Sequence, residues 1–264
     1  EWKNIDFILS YSPLHSALMN ASVGSKAHHY VITGMPRNDF FFNRNGRELL
    51  NKITGENLEG KKIVFYLPTF RQNVFSNRLE GEPLSEENIF RLHDFSWKIF
   101  LDFLERNDIK FFFKPHPAET HLVERFSLPS SIILLTEALL EQANTDLYET
   151  LNAADLLITD YSSVYFDFLL LDRPILFIPS DLPLYRKKRG FLLEPYDLWA
   201  PGPKVFSFHE LQTTILECLE GKDDYRQQRG FIRNTVHSYQ DGESSNRVWQ
   251  FIQTILEKEK EIKQ

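Results

Sequence analysis

Cysteine is almost absent: Cys218 is the only one in 264 residues. No disulfide can form within the chain, and a paired-cysteine metal site is excluded. Methionine is equally scarce, with two residues. No apolar run approaches the ~20 residues that a helix needs to cross a bilayer, and no secretory signal is present. With the lone thiol, this fits a cytoplasmic protein. Glycine is sparse at 11 residues, and no Gly-x-Gly-x-x-Gly or Walker lysine loop occurs. There is no His-Glu-x-x-His either, and the His28-His29 doublet would face apart in a strand, so no metal is expected. Positive charge is in deficit. Lys and Arg number 30 against 37 Asp and Glu, a net charge of −7. That excludes a general pull toward nucleic acid. One local basic run, Arg186-Lys187-Lys188-Arg189, could meet phosphates or anionic lipid headgroups, although such runs are commonly solvated loops.

What the chain has in excess is phenylalanine, 23 residues, mostly within strand-like or helical apolar stretches such as Phe111 to Phe113. These read as core. Phe40-Phe41-Phe42 follows a polar turn and reads as a candidate contact surface. Cys218 falls in the helical pattern of Leu211, Ile215, Leu216 and Leu219 and reads as a core or boundary thiol.

Strand-like and helical segments alternate through the middle of the chain. Expected strands are Ile5–Leu9, Tyr30–Thr33, Lys61–Leu67, Ile109–Lys114, Ser131–Leu135, Asp155–Thr159 and Pro174–Ile178. Between them the periodicity predicts helices over Pro13–Ser22, Asn43–Asn57, Ala118–Phe126, Leu147–Ala154 and Ser162–Leu171. A long helix is predicted from Ser85 to Arg106, with Ile89, Leu92, Phe95, Ile99, Phe103 and Leu104 on one face. Gln72 to Ser85 reads as a polar loop and Asp181 to Pro203 as a long functional loop or lid. Helices Phe208–Glu220, Asp223–Val236 and Ser245–Lys263 close the chain. The fold class is α/β, a Rossmann-like parallel sheet with flanking helices.

The candidate site lies where strands end. Leu156 to Ile158 stops at Thr159-Asp160, and Ser162-Ser163 stand where a helix begins. Strand, polar turn and helix start present N–H groups and hydroxyls to an anion. A simple helix cap explains Ser162 alone equally well. Two other strands end in Pro68-Thr69-Phe70-Arg71 and Lys114-Pro115-His116-Pro117. In open α/β sheets ligands bind at this edge. Arg71, His116, Ser162 and Ser163 together suit a phosphate or diphosphate. Singly, a turn histidine or a surface ion pair would account for each.

The ordered set of motifs resembles the CDP-glycerol glycerophosphotransferases, the bacterial teichoic-acid and capsule polymerases and primases. The matching residues are Gly34 to Asp39, Leu67 to Arg71, Lys114 to Pro117, Asp155 to Ser163, Arg173-Pro174, Asp181 with Tyr185, Arg189-Gly190-Phe191 and Pro201-Gly202-Pro203. His237, Asp241-Gly242 and Arg247 complete them. The resemblance implies a two-lobed GT-B enzyme whose amino-terminal lobe carries a Trp-His-Gly motif. No Trp-His-Gly occurs here. The chain is therefore expected to be the carboxy-terminal lobe of a longer enzyme. Residues 1–38 would be the end of the acceptor-side lobe and a crossover, and residues 39–264 the nucleotide-binding lobe.

By the same resemblance, the donor is CDP-glycerol or another CDP-alditol and CMP leaves. The acceptor is a polyol phosphate or glycan, in some cases lipid-linked, and the inner membrane face is an expected peripheral contact. No cofactor, metal or nucleic acid is implied. His116 is the expected catalytic residue. Thr69, Arg71, Asp160, Ser162, Ser163, Arg189, Asp241 and Gly242 are the expected donor-binding residues. Backbone around Leu135 to Glu137 is a candidate reader of the base. A nucleotide-sugar glycosyltransferase or epimerase of the same architecture, and a non-catalytic nucleotide-binding module, remain as alternatives.

Overall fold

The computed structural model describes residues 5–24, 26–73, 78–79 and 81–262. The chain divides into two compact units, residues 45–230 and residues 1–44 with 231–264. The boundary falls within the helix Arg226–Val236.

In the smaller unit, strands β1 (Ile8–Ser10) and β2 (Tyr30–Ile32) pair in parallel around the helix Pro13–Val23. Ser12 caps that helix, and left-handed Gly24 (φ 69°) ends it. The Gly34-to-Asp39 motif serves the long helix Ser244–Ile262. The Asp39 carboxylate accepts the N–H groups of Ser244 and Ser245, each at 2.8 Å. A carboxylate at a helix N-terminus meets otherwise unpaired donors and the positive end of the dipole. Gly34 has φ 74°, and a Cβ there would strike the Ser244 hydroxyl.

The larger unit is built on strands β3 (Lys62–Leu67), β6 (Ile109–Phe113), β7 (Ile132–Leu134), β8 (Leu156–Thr159) and β9 (Ile175–Phe177). A short antiparallel strand pair, β4 (Gln72–Asn73) with β5 (Arg78–Leu79), lies in the expected polar loop. The five strands form one parallel sheet in the order β7-β6-β3-β8-β9. The sheet starts at its centre, winds one way to β7 and returns to the other side of β3. The connections after β3 and β8 therefore part company, which opens a crevice at their carboxyl ends. Nearly every residue of β3, β6, β8 and β9 is buried, as a sheet covered on both faces requires. Phenylalanine fills the layers: Phe65 stacks on Phe112 at 5.1 Å, and Phe90, Phe100 and Phe111 meet edge to face. Cys218 is buried with them, and burial pushes its thiol up to about 12.

Several motif residues work at the amino edge, away from the crevice. Asp155 accepts the Ile63 N–H at 2.8 Å, and Arg173 ties down the carbonyls of Asn152 and Ala154.

The expected helix Ser85–Arg106 is corrected. Only Trp97–Arg106 is helical. Ile89, Phe90, Arg91 and Leu92 are all buried, which no single helical face allows. The Asn88 side chain bonds both the N–H and the carbonyl of Leu92, and Arg91 turns left-handed at φ 60°. Ile99, placed on the apolar face by periodicity, is 52% exposed. The expected helix Ser162–Leu171 shortens to Val164–Phe168 followed by a 3-10 turn. The Asp181–Pro203 loop holds two helices, Leu182–Lys188 and Tyr196–Trp199. A helix over Glu137–Gln142 was not anticipated. Phe40 to Asn43 is helical, with Phe41 buried and Phe42 exposed.

Candidate functional site at the carboxyl edge of the sheet

Because β3 lies between β6 and β8, three of the expected strand ends are neighbours. The Asp160 carboxylate, 2% exposed, closes the seam between β8 and β3. Its Oδ1 accepts the N–H of Thr69 at 2.8 Å and of Tyr161 at 2.5 Å. The Thr159 hydroxyl donates to the Leu67 carbonyl across the same seam. Thr69 itself is buried.

Arg71 points inward. It is wholly buried, with Nε and Nη2 on the two Asp181 oxygens at 2.8 and 2.9 Å and Nη1 on the Thr69 carbonyl at 2.8 Å. Nη2 also pairs with Asp160 at 2.9 Å. Burial alone would lower the guanidinium's pKa, but Asp160 and Asp181 outweigh it and hold the charge. Burial alone would likewise raise the Asp181 carboxyl, and Arg71 brings it below the ordinary value. A second buried pair lies alongside: Arg91 approaches Glu119 at 3.8 Å and Asp160 at 3.9 Å, and Glu119 accepts the Arg71 N–H.

His116 is exposed at the end of β6. Its ring packs on Phe70, centroids 4.5 Å apart, and its Nδ1 accepts the Ala118 N–H at 3.1 Å. The Arg189 guanidinium lies 4.4 Å from the centroid of the same Phe70 ring. Partial burial lowers the His116 pKa; Glu119 opposes this, while Arg189 and Lys114 add to it. The charged form of the imidazole is thus disfavoured beside two cations. Lys114 is itself spoken for by Glu137 at 2.6 Å. At the candidate base-reading backbone, the Leu135 N–H bonds the Phe113 carbonyl and Thr136 caps the next helix.

Ser162 is half-buried and Ser163 exposed. Ser163 stands at the helix N-cap position without a side-chain capping bond, so its hydroxyl is not engaged there. The turn is held from behind by aromatic packing. Tyr161 packs on Tyr185 in a tilted pair at 4.1 Å and meets Phe191 and Tyr196 at 5.5 and 5.6 Å. The Tyr161 hydroxyl donates to Asp181 at 3.0 Å, and the Tyr196 hydroxyl to the Asp160 carbonyl at 2.9 Å. Burial first, then Asp181 and Asp160, push the Tyr161 phenol up, so it stays a donor.

The structure thus brings together Thr69, Asp160, Ser162, His116 and Arg189 through Phe70, Tyr161 and Tyr185. Asp241 and Gly242 belong to the smaller unit. There Asp241 pairs with Arg247, and the Gly242 carbonyl accepts the Asn43 amide at 3.1 Å. Arg91, Glu119 and Phe70 were missed from the sequence. Only the buried network identifies Arg91 and Glu119, and only its contacts with His116 and Arg189 identify Phe70. Among the described residues no cluster of His, Cys, Asp or Glu could hold a metal ion.

Comparison with known proteins agrees with this architecture. A family model described as CDP-Glycerol:Poly(glycerophosphate) glycerophosphotransferase matches residues 1–254. The teichoic acid glycerol-phosphate primase of Bacillus subtilis (strain 168) is 29% identical over 256 residues, 97% of this chain and 59% of that protein. The teichoic acid poly(glycerol phosphate) polymerase of Bacillus spizizenii (strain ATCC 23059 / NRRL B-14472 / W23) is 34% identical over 209 residues, 75% of this chain and 46% of that protein. The chain thus spans about half the length of the curated relatives it matches. The solved wall teichoic acid polymerase TagF shares the fold, with a TM-score of 0.69 at 24% identity over 96% of this chain and 59% of that one.

Proposed function

We propose, from the premise that this chain belongs to the CDP-glycerol:poly(glycerophosphate) glycerophosphotransferase family, that it carries the donor-binding part of an enzyme moving glycerol phosphate, or a related alditol phosphate, from a CDP-alditol to a hydroxyl. The acceptor hydroxyl of a polyol-phosphate or glycan chain attacks the distal phosphorus of the diphosphate. The bridging P–O bond breaks, its electron pair leaves with CMP, and the hydroxyl proton passes to a base. Such chemistry depends mainly on positioning and charge stabilisation.

The observation that carries this reading is the Phe70 ring with His116 on it and Arg189 over it, at the carboxyl edge of the sheet. With Nδ1 accepting from Ala118, the ring proton sits on Nε2, and that N–H donates to a diphosphate oxygen as CMP departs. Arg189 supplies compensating charge. The Ser162 and Ser163 hydroxyls hold the same diphosphate, and Thr69 and Asp160 set the shape of the turn. In this reading residues 39–264 form the nucleotide lobe of a GT-B pair, and residues 1–38 the end of the acceptor lobe and a crossover. Among the described residues no helix is long and apolar enough to cross a membrane. A lipid-linked acceptor would be met by peripheral contact.

A thermal-shift panel tests the proposal. CDP-glycerol or CDP-ribitol should raise the melting temperature at millimolar concentration, and UDP-sugars should not. A UDP-sugar preference would instead favour the glycosyltransferase or epimerase reading.

A further inference from the structure

The inward-facing Arg71 has a second consequence for the edge where Arg189 acts. Its guanidinium joins three chain segments: the end of β3 through the Thr69 carbonyl, the end of β8 through Asp160, and the start of the Leu182–Lys188 helix through Asp181. Asp181 accepts from Arg71 on both oxygens and also receives the Tyr161 hydroxyl and the Glu82 N–H. Glycine at 81 permits this approach, because a Cβ there would strike both Asp181 and Arg71.

From Asp181 a short, continuous hydrogen-bonded path leads to Arg189. The Asp181 carbonyl accepts the Tyr185 N–H at 2.9 Å, and the Tyr185 carbonyl accepts the Arg189 N–H at 2.8 Å. The Tyr185 ring completes a second path, with the Arg71 guanidinium 4.9 Å and the Arg189 guanidinium 5.6 Å from its centroid. One end of the segment is thus locked to the sheet by a buried bidentate pair, and the other end places a cation over Phe70.

We propose that Arg71 and Asp181 are a positioning pair that fixes the 181–189 segment so that Arg189 is held at the donor site, and that Arg71 does not itself touch the donor. This rests on the reading above, in which Arg189 and His116 face the diphosphate. It replaces the direct Arg71–diphosphate contact expected from sequence. The guanidinium is wholly buried and is turned inward onto Asp181, Asp160 and the Thr69 carbonyl, away from a ligand at the edge. Asp181 makes no side-chain capping bond to the helix that follows, so its carboxylate serves Arg71, Tyr161 and Glu82 instead.

The test uses Arg71→Lys and Asp181→Asn in the full-length protein, with hydrogen exchange, melting temperature and donor kinetics read on the same samples. Arg71→Lys keeps the charge and loses the bidentate fork. In both variants, peptides covering 182–191 should exchange about tenfold faster while β3 and β8 keep their protection. The donor KM should rise by roughly an order of magnitude with a smaller loss in kcat. In an Arg189→Ala background, Arg71→Lys should cost less than about twofold more, because both changes remove the same arrangement. Exchange that rises uniformly across the larger unit, in step with a lower melting temperature, overturns the proposal and leaves a core ion pair. Full additivity of Arg71→Lys with Arg189→Ala overturns it as well and restores a direct contact. If Asp181→Asn loosens only 182–191 while Arg189→Ala leaves donor KM unchanged, the pair stands as the anchor of the segment and the donor-site reading fails.

Discussion

The Ala118 N–H donates to Nδ1 of His116 at 3.1 Å, and this one bond leaves Nε2 as the ring's outward donor. His116 lies between Pro115 and Pro117, so its backbone is largely pre-set and its ring position reproducible. In the full-length enzyme His116→Ala should lower turnover by roughly two to three orders of magnitude, as loss of one preorganised donor does elsewhere. His116→Asn should retain more activity than alanine. His121, exposed in the following helical turn, is the control and should tolerate alanine. Steady-state kinetics on the three variants decide; equal loss at His121 would relocate the site.

The same ring should titrate low. Partial burial lowers its pKa in the fold, so between the folded and unfolded values the unfolded chain binds more protons. The contribution to stability is then present above the ordinary value of about 6.5 and is lost as pH falls below it. An NMR titration of the His116 ring should give a midpoint below 6.5. A midpoint above it would contradict the environment described.

Ser162→Ala and Ser163→Ala should each weaken CDP-alditol binding by about 0.5–1.5 kcal/mol, and more where the hydroxyl meets a charged oxygen. Because Ser163 makes no side-chain capping bond, its loss should leave the melting temperature unchanged. Calorimetric titration and thermal melts on the same mutants separate ligand binding from capping. A lower melting temperature with unchanged affinity would make both residues structural.

Glycine substitutions should divide sharply. A Cβ on Gly202 would run into the Ile175 backbone carbonyl of β9, so Gly202→Ala should cost about 3 kcal/mol. Gly230 lies inside the helix Arg226–Val236, and a methyl added there would meet nothing within 4 Å, so Gly230→Ala should stabilise by up to about 1 kcal/mol. Chemical denaturation of the two variants measures both. The family motif Pro201-Gly202-Pro203 thereby acquires a packing reason: the Pro203 carbonyl and Val205 N–H bond Phe177 and cover the edge of β9.

Much of the fold was legible because its cause is local. The apolar runs at Ile63 to Leu67, Ile109 to Phe113 and Leu156 to Ile158 are too uniformly apolar for an exposed surface, and each stops at a proline or a polar turn. The helix starts at Asp146 and Ser207 carry capping boxes written in three-residue spacing. Periodicity failed at Ser85 to Ser96, where the Asn88 side chain bonds the Leu92 backbone and the left-handed Arg91 serves Glu82 and Glu119. It also misjudged Ile99, whose face is decided by what packs against it.

By itself the sequence determined that Thr69, Arg71, His116, Asp160 and Ser162 would sit at strand ends, since local patterning sets where a strand stops. It also set the charge, the lone buried thiol and the family. Only the tertiary structure decided which strand ends are neighbours and which way each side chain turns. Asp181, 110 positions from Arg71, draws that guanidinium inward. Phe70, the residue before it, is left at the edge with His116 and Arg189. The physical reason is that a buried charge takes its direction from its partner, and partners that far apart meet only when the sheet has been ordered.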